Sequence, residues 1–140
     1  MPDLFLLEIM TPERLFLREH VRYVTVLGLD GYFTVMKGHM PMVSALQIGE
    51  MTIGFEKKTK TAVNAEGYME VRPDRVLVFA QTCEWPEEID ENRALRAKQK
   101  AEESMRQKQS IVENKNTKIA LTRAMVRLSA RSKNVGKYNQ

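Results

Sequence analysis

Proline and glycine stop abruptly part-way along this chain, and that boundary constrains the fold more than any other feature. All five prolines (Pro2, Pro12, Pro41, Pro73, Pro86) lie at or before residue 86, six of the seven glycines lie at or before Gly67, and residues 87–135 contain neither. Proline fixes φ and removes a backbone donor, and glycine supplies the left-handed conformations of tight turns. The first stretch is therefore punctuated every several residues, as an all-β domain is. The second can only be long helix or disorder. A division into residues 1–86 and 87–140 follows.

Within the first stretch the apolar runs are short and rich in strand formers: Leu4 to Ile9, Leu15-Phe16-Leu17, the alternating segment from Val21 to Leu27, Met51-Thr52-Ile53, Thr61-Ala62-Val63, Tyr68 to Val71 and Val76 to Ala80. Ala65-Glu66-Gly67-Tyr68 and Arg72-Pro73-Asp74-Arg75 read as hairpin turns. About eight or more short strands in so short a stretch predict a sandwich or a small barrel. Phe5, Phe16, Phe33, Phe55 and Phe79 are expected to supply much of its thin core.

In the second stretch, Pro86 suits the first turn of a helix, and Glu87, Glu88 and Asp90 sit where acids meet the positive end of the helix dipole. Ala94, Ala97, Ala101 and Met105 mark a narrow apolar face. Ser110 to Asn116 interrupt the pattern, and a second helix is expected from about Thr117 to Arg131, with Leu121, Ala124, Met125 and Leu128 as its stripe. The simplest arrangement is an antiparallel two-helix hairpin, giving an α+β chain overall. Its facing residues are mostly alanine, and each buried methylene contributes only about 0.8 kcal/mol. Two readings stay open: an ordinary, permanently docked pair, or a pair near the balance between docked and released.

Charge follows the same division. Residues 1–86 hold 9 Lys/Arg against 11 Asp/Glu, net −2, and residues 87–140 hold 13 against 7, net +6. After Glu113 there is no acid and there are seven bases. Such a basic appendage suits an acidic partner. Arg123, Arg127 and Arg131 recur at i+4 and form one ridge, a solvated face or a stripe for carboxylates or phosphates. Nucleic acid fits less well, because Tyr138 is the only aromatic in the helical part.

Enzyme signatures are missing: there is no GxSxG, phosphate loop, HExxH or GxGxxG. His20 and His39 are read as lying in different loops without partners at ligand spacing. The lone Cys83 excludes an internal disulfide or a cysteine-cluster metal site and is read as a small buried strand residue. No run of about 18 apolar residues exists, and Met1-Pro2-Asp3-Leu4 has no basic n-region, so neither a membrane span nor a signal peptide is expected. Glu84, Ile89, Asp90 and Arg93 cluster at the domain junction, where Asp90 and Arg93 can pair on one helix face or Asp90 can cap the helix.

Taken in order, Gly38-His39-Met40-Pro41 with Leu46 and Gly49, Glu66-Gly67-Tyr68-Met69-Glu70-Val71-Arg72-Pro73, Ile89-Asp90-Glu91-Asn92-Arg93-Ala94 and Arg123-Ala124-Met125-Val126-Arg127-Leu128 are similar to the epsilon subunits of F-type ATP synthases, over about residues 3–130. The resemblance implies a ten-stranded sandwich and two helices without catalysis by this chain. It implies that the sandwich binds the gamma subunit and rests on the c-subunit ring, with Asp30, Gly31, Tyr32 and His39 facing the ring. It further implies a hairpin that, when extended, reaches the alpha/beta catalytic hexamer and blocks ATP hydrolysis, with Arg123, Arg127 and Arg131 meeting acidic segments there. A subset of the family binds ATP through an Ile/Leu-Asp-x-x-Arg-Ala motif. Here that carries over to Ile89, Asp90, Arg93 and Ala94, with Glu84 before them and Arg123 and Arg127 on the second helix. The implied ligand set is therefore ATP as a regulatory ligand, with no required cofactor, no metal and no nucleic acid. The implied place is peripheral, on the cytoplasmic face of a bacterial membrane rather than the chloroplast thylakoid. A free-standing basic hairpin that binds nucleic acid is the competing reading, opposed by the acidic β-domain.

Overall fold

The computed structural model describes residues 3–107 and 111–138, with side chains over 3–106 and 115–134. The chain divides after Trp85 into two compact units. Ten strands form the first: β1 (Phe5–Met10), β2 (Leu15–Val21), β3 (Tyr23–Gly28), β4 (Gly31–Met36), β5 (Met42–Leu46), β6 (Gly49–Gly54), β7 (Thr59–Asn64), β8 (Gly67–Val71), β9 (Arg75–Ala80) and β10 (Cys83–Glu84). They make a sandwich of two five-stranded sheets, in the orders β2-β1-β9-β8-β5 and β10-β7-β6-β3-β4. The β1–β9 pairing is parallel, Leu7 opposite Val76 and Ile9 opposite Val78.

Period-2 alternation decides which residues face the other sheet. On β1, Leu7 and Ile9 are inside with no exposed surface; on β3, Val24 and Val26 are inside while Tyr23, Thr25 and Leu27 keep some. Met51, Ile53, Met69 and Val78 complete an aliphatic centre, in which a fully buried side chain of this size is worth about 1.5–3 kcal/mol. The expected aromatic core is corrected by this packing. Only Phe5 and Phe55 are buried in it, Phe16 and Phe33 cover its margin, and Phe79 stacks on Tyr68 at 4.9 Å. Short strands in a thin sandwich leave space at the centre for branched aliphatics, and the larger rings close its edges.

Of the two expected hairpins, one forms. Val71 pairs with Val76 across the Arg72–Arg75 turn, where the Arg72 N–H donates to the Arg75 carbonyl at 2.8 Å. The other, Ala65–Tyr68, joins β7 in one sheet to β8 in the other and is a corner. Gly67 is required there by close approach, since a Cβ would overlap the Phe79 carbonyl oxygen and crowd the Ala80 Cα.

The second unit holds a 3-10 turn at Pro86–Glu88, then α1 (Glu91–Gln107) and α2 (Ile111–Tyr138). The two helices pack on each other across a connection of only three residues, so they run antiparallel. Helix α2 starts earlier and ends later than expected, with Asn114 and Asn116 inside it; Ser110, the expected start of the break, lies outside the described residues. Among the described side chains, the buried positions of α1 are Ala94 and Ala101, and those of α2 are Ala124 and Ala130. Lys98 and Met105 are half-buried on the Ala94–Ala101 face, whereas Ala97 is exposed and Met125 is 51% exposed. The spacing 94, 98, 101, 105 is the seam of two nearly parallel helix axes, and the Lys98 stem covers its margin while its charge stays in water.

Candidate functional site

The start of α1 is built around Asp90. Its side-chain Oδ1 accepts the Arg93 N–H at 3.2 Å, and its carbonyl accepts the Ala94 N–H at 3.0 Å, which makes Asp90 the N-cap. The Ile89 N–H donates to the Pro86 carbonyl at 3.2 Å and closes the preceding turn. Ile89 and Ala94 are buried, Asp90 and Arg93 are exposed. The motif thus divides by role: Ile89 and Ala94 pack, Asp90 caps, and Arg93 presents its guanidinium.

Helix α2 carries the remaining arginines. Sixteen residues back from Gln107 is Glu91, and sixteen forward from Ile111 is Arg127, so an even antiparallel register would bring Arg127 level with the first turn of α1. The Pro86–Glu88 turn also packs on α2. Arg123, Arg127 and Arg131 are all half-buried along one ridge, where a guanidinium is better placed for bidentate contact than a solvated lysine. Arg93, Arg123 and Arg127 therefore supply cationic donors of the kind that phosphates need. Glu84 lies on β10 of the sandwich unit, paired with Val63, and so belongs to a different unit from the other six ATP-motif residues.

The residues implied for the c ring are separated by a strand. Asp30 and Leu29 form the two-residue tip of the β3–β4 hairpin, closed by Gly28 opposite Gly31, whose φ is +123°. Leu29 is 71% and Tyr32 60% exposed, so the tip presents an apolar pair around Asp30. His39 is at the far end of β4, beyond a six-residue strand that spans roughly 20 Å. There Gly38 takes a φ of +84°, the His39 N–H donates to the Met36 carbonyl at 3.1 Å, and the His39 Nδ1 lies 2.8 Å from the Met40 carbonyl oxygen.

His20 proves to be a strand residue of β2, not a loop residue. It and His39 line one open cleft of about 400 Å³ with Lys37, Arg72, Asp74 and Arg75. The arginines there are paired with carboxylates of the same unit. Arg72 lies 3.1 Å from Glu70, whose hydrogen bond raises the guanidinium pKa, and Arg75 binds the buried Glu8 at 3.0 Å. Among the described residues no group of three or more His, Cys, Asp or Glu could hold a metal ion, and no helix is long and apolar enough to cross a membrane.

Three exposed apolar side chains lie on β4, on β5 and in the loop between them. Met36, Met40 and Val43 are 59%, 77% and 69% exposed. Met36 and Val43 are out of phase with their buried strand neighbours Val35 and Leu46, a visible signal that was not used.

A ten-stranded β-sandwich followed by an alanine-packed helical pair defines a two-module chain of the sandwich-plus-hairpin class. Residues 4–86 match the model for the β-sandwich domain of the ATP synthase delta/epsilon chain, and residues 87–131 match that for its long α-helix domain. The chain belongs to the epsilon subunits of F-type ATP synthases. It is 44% identical over 126 residues to the ATP synthase epsilon chain of Ruminiclostridium cellulolyticum, covering 90% of this chain and 94% of that one. It is 40% identical over 124 residues to that of Caldicellulosiruptor saccharolyticus, covering 89% and 90%. Among solved structures, a chain of the Euglena gracilis mitochondrial ATP synthase superposes with a TM-score of 0.79 at 22% identity, over 93% of this chain and 82% of that one, which shows the shared fold. The family removes the support for a free-standing nucleic-acid-binding hairpin.

Proposed function

We propose that this chain is a non-catalytic central-stalk subunit of a bacterial F-type ATP synthase, peripheral to the cytoplasmic face of the membrane. Its sandwich docks on the gamma subunit and the c ring, and its helical pair restrains ATP hydrolysis by reaching the alpha/beta hexamer. The alanine seam carries the reading. Every fully buried side chain described on α1 and α2 is alanine, and the larger Met105, Leu121, Val126 and Leu128 are only half-buried, so the pair has less apolar area to lose than a leucine seam when its helices part. The exposed Met36 and Met40 suit the apolar part of a gamma interface, and Asp30 at the β3–β4 tip suits a polar loop of the ring. Arg123, Arg127 and Arg131 supply the charge for acidic segments of the hexamer. Arg93, Arg123 and Arg127, with Asp90 at the cap, are the groups by which ATP would hold the folded pair. Asp90 would serve the base or sugar.

The test uses the assembled catalytic complex. ATP hydrolysis is compared with the intact chain and with a chain ended after Pro86. A severalfold rise on truncation is expected. Equal rates, with the truncated chain still in the complex, would remove the restraining role and leave a coupling subunit.

A further inference from the structure

After β9 ends at Ala80, the Gln81 N–H donates to the Glu66 carbonyl at 3.0 Å and the Thr82 carbonyl accepts the Ala65 N–H at 2.9 Å, so the first two residues are held by the main chain itself. Beyond them the chain is tied to the sandwich by β10, a strand of two residues paired at Cys83 with Asn64 and at Glu84 with Val63. So short an edge strand opens readily by itself. Side chains from both sheets reinforce it. The Trp85 ring lies against Phe16 of β2 at 4.7 Å between centroids, inclined by 38°. Lys60 of β7 sets its Nζ 4.0 Å from the centre of the Trp85 ring. Arg14 lies 5.1 Å over Phe16 and donates from a guanidinium nitrogen to the Cys83 carbonyl at 3.2 Å. Phe16 belongs to the edge strand of one sheet and Lys60 to the strand beside the edge of the other, so Trp85 closes that side of the sandwich.

We propose that Trp85, held between Phe16 and Lys60, is the clamp that fixes the pivot of the helical unit. While it is seated, the chain stays on the sandwich through residue 85 and any swing of α1 and α2 turns about Pro86–Asp90. When it is lost, β10 peels away and residues 83–85 join the linker, while Gln81 and Thr82 keep their backbone bonds to Glu66 and Ala65. Three extra residues lengthen the tether by up to roughly 10 Å, so the helices lose a defined starting direction. A tight cation–aromatic contact suits such a clamp, because it orients the indole as well as attracting it.

Amide hydrogen exchange of the full chain, followed residue by residue, tests this. In Lys60→Met the amides of residues 83–85 are expected to exchange about tenfold faster, with those of Val24, Met51 and Ile53 unchanged. Lys60→Arg, which can still stack on the indole, should stay near the parent rate. Parent exchange at residues 83–85 in Lys60→Met would overturn the proposal. So would a uniform acceleration over the whole sandwich, which would make Trp85 an ordinary core side chain. The functional consequence rests on the restraining role proposed above: Lys60→Met should relieve inhibition of ATP hydrolysis in the assembled complex. The exchange result stands apart from that role and separates the failure of the clamp from the failure of the restraint.

Discussion

Asp90 shows how one residue of a motif can be explained by the backbone it caps. Its carboxylate accepts the Arg93 N–H and so satisfies one of the first unpaired donors of α1. Replacing it by alanine removes the cap and should cost about 1 kcal/mol of helical-unit stability. Asparagine keeps the accepting oxygen, so Asp90→Asn should retain that stability. Thermal unfolding followed by far-UV circular dichroism checks the pair, and equal losses in both variants would show that charge, not capping, dominates there. The Asp-x-x-Arg spacing was legible in the sequence, with capping and side-chain pairing both open; the structure shows the cap. The burial of Ile89 and Ala94 was not legible, because a motif does not separate packing positions from ligand positions. Gly67 was read as a turn glycine for the same kind of reason. Corner and hairpin use the same residues, and only the partition of β7 and β8 between sheets distinguishes them.

The helices pose the matching problem at the level of elements. Composition identified α1 and α2, and steps of three and four residues through Ala94, Ala97, Ala101 and Met105 placed the seam of α1 nearly correctly. Ala97 was assigned to the seam and is exposed, because over several turns a packed antiparallel pair follows a spacing near 3.5 residues through Ala94, Lys98, Ala101 and Met105. Asn114 and Asn116 were taken as a break, yet each costs a helix interior only up to about 0.7 kcal/mol, which packing of a 28-residue helix readily overrides. If the seam depends on small residues, a larger one must push the helices apart. Ala124→Leu is expected to destabilise the helical unit by about 1–3 kcal/mol. Ala97→Leu, on the exposed face, should change it by no more than about 0.5 kcal/mol. Helical signal against temperature in the full chain reads both, and equal stability in the two variants would show that the alanines are not the contact.

Across the whole molecule, the sandwich carries net −2 and the helical part net +6, and under the proposed function the arginines of the helical pair would give a nucleotide a way to bias its state. A ligand shifts an equilibrium only by its difference in affinity for the two forms. ATP would gather Arg93, Arg123 and Arg127 only while α1 and α2 are packed on each other, so its binding energy would favour the packed form. At a hundredfold excess over the dissociation constant that bias is about 2.7 kcal/mol, comparable to the few buried methyl groups of the seam. A weak site can therefore control a weakly held pair. Calorimetry on the isolated full chain should detect ATP binding at millimolar nucleotide or below. Arg127→Ala should weaken it about tenfold or more, as expected for loss of a charge-assisted hydrogen bond worth about 1.5–3 kcal/mol. Lys118→Ala, an exposed cation two turns from Arg123 and Arg127 on average, should leave it near the parent value. Absence of heat with the parent chain at millimolar ATP would remove the nucleotide from the mechanism. Equal weakening by Arg127→Ala and Lys118→Ala would reduce it to diffuse attraction to a basic helix. Selective loss at Arg127 would make the root of the pair the place where nucleotide level and hairpin position are linked.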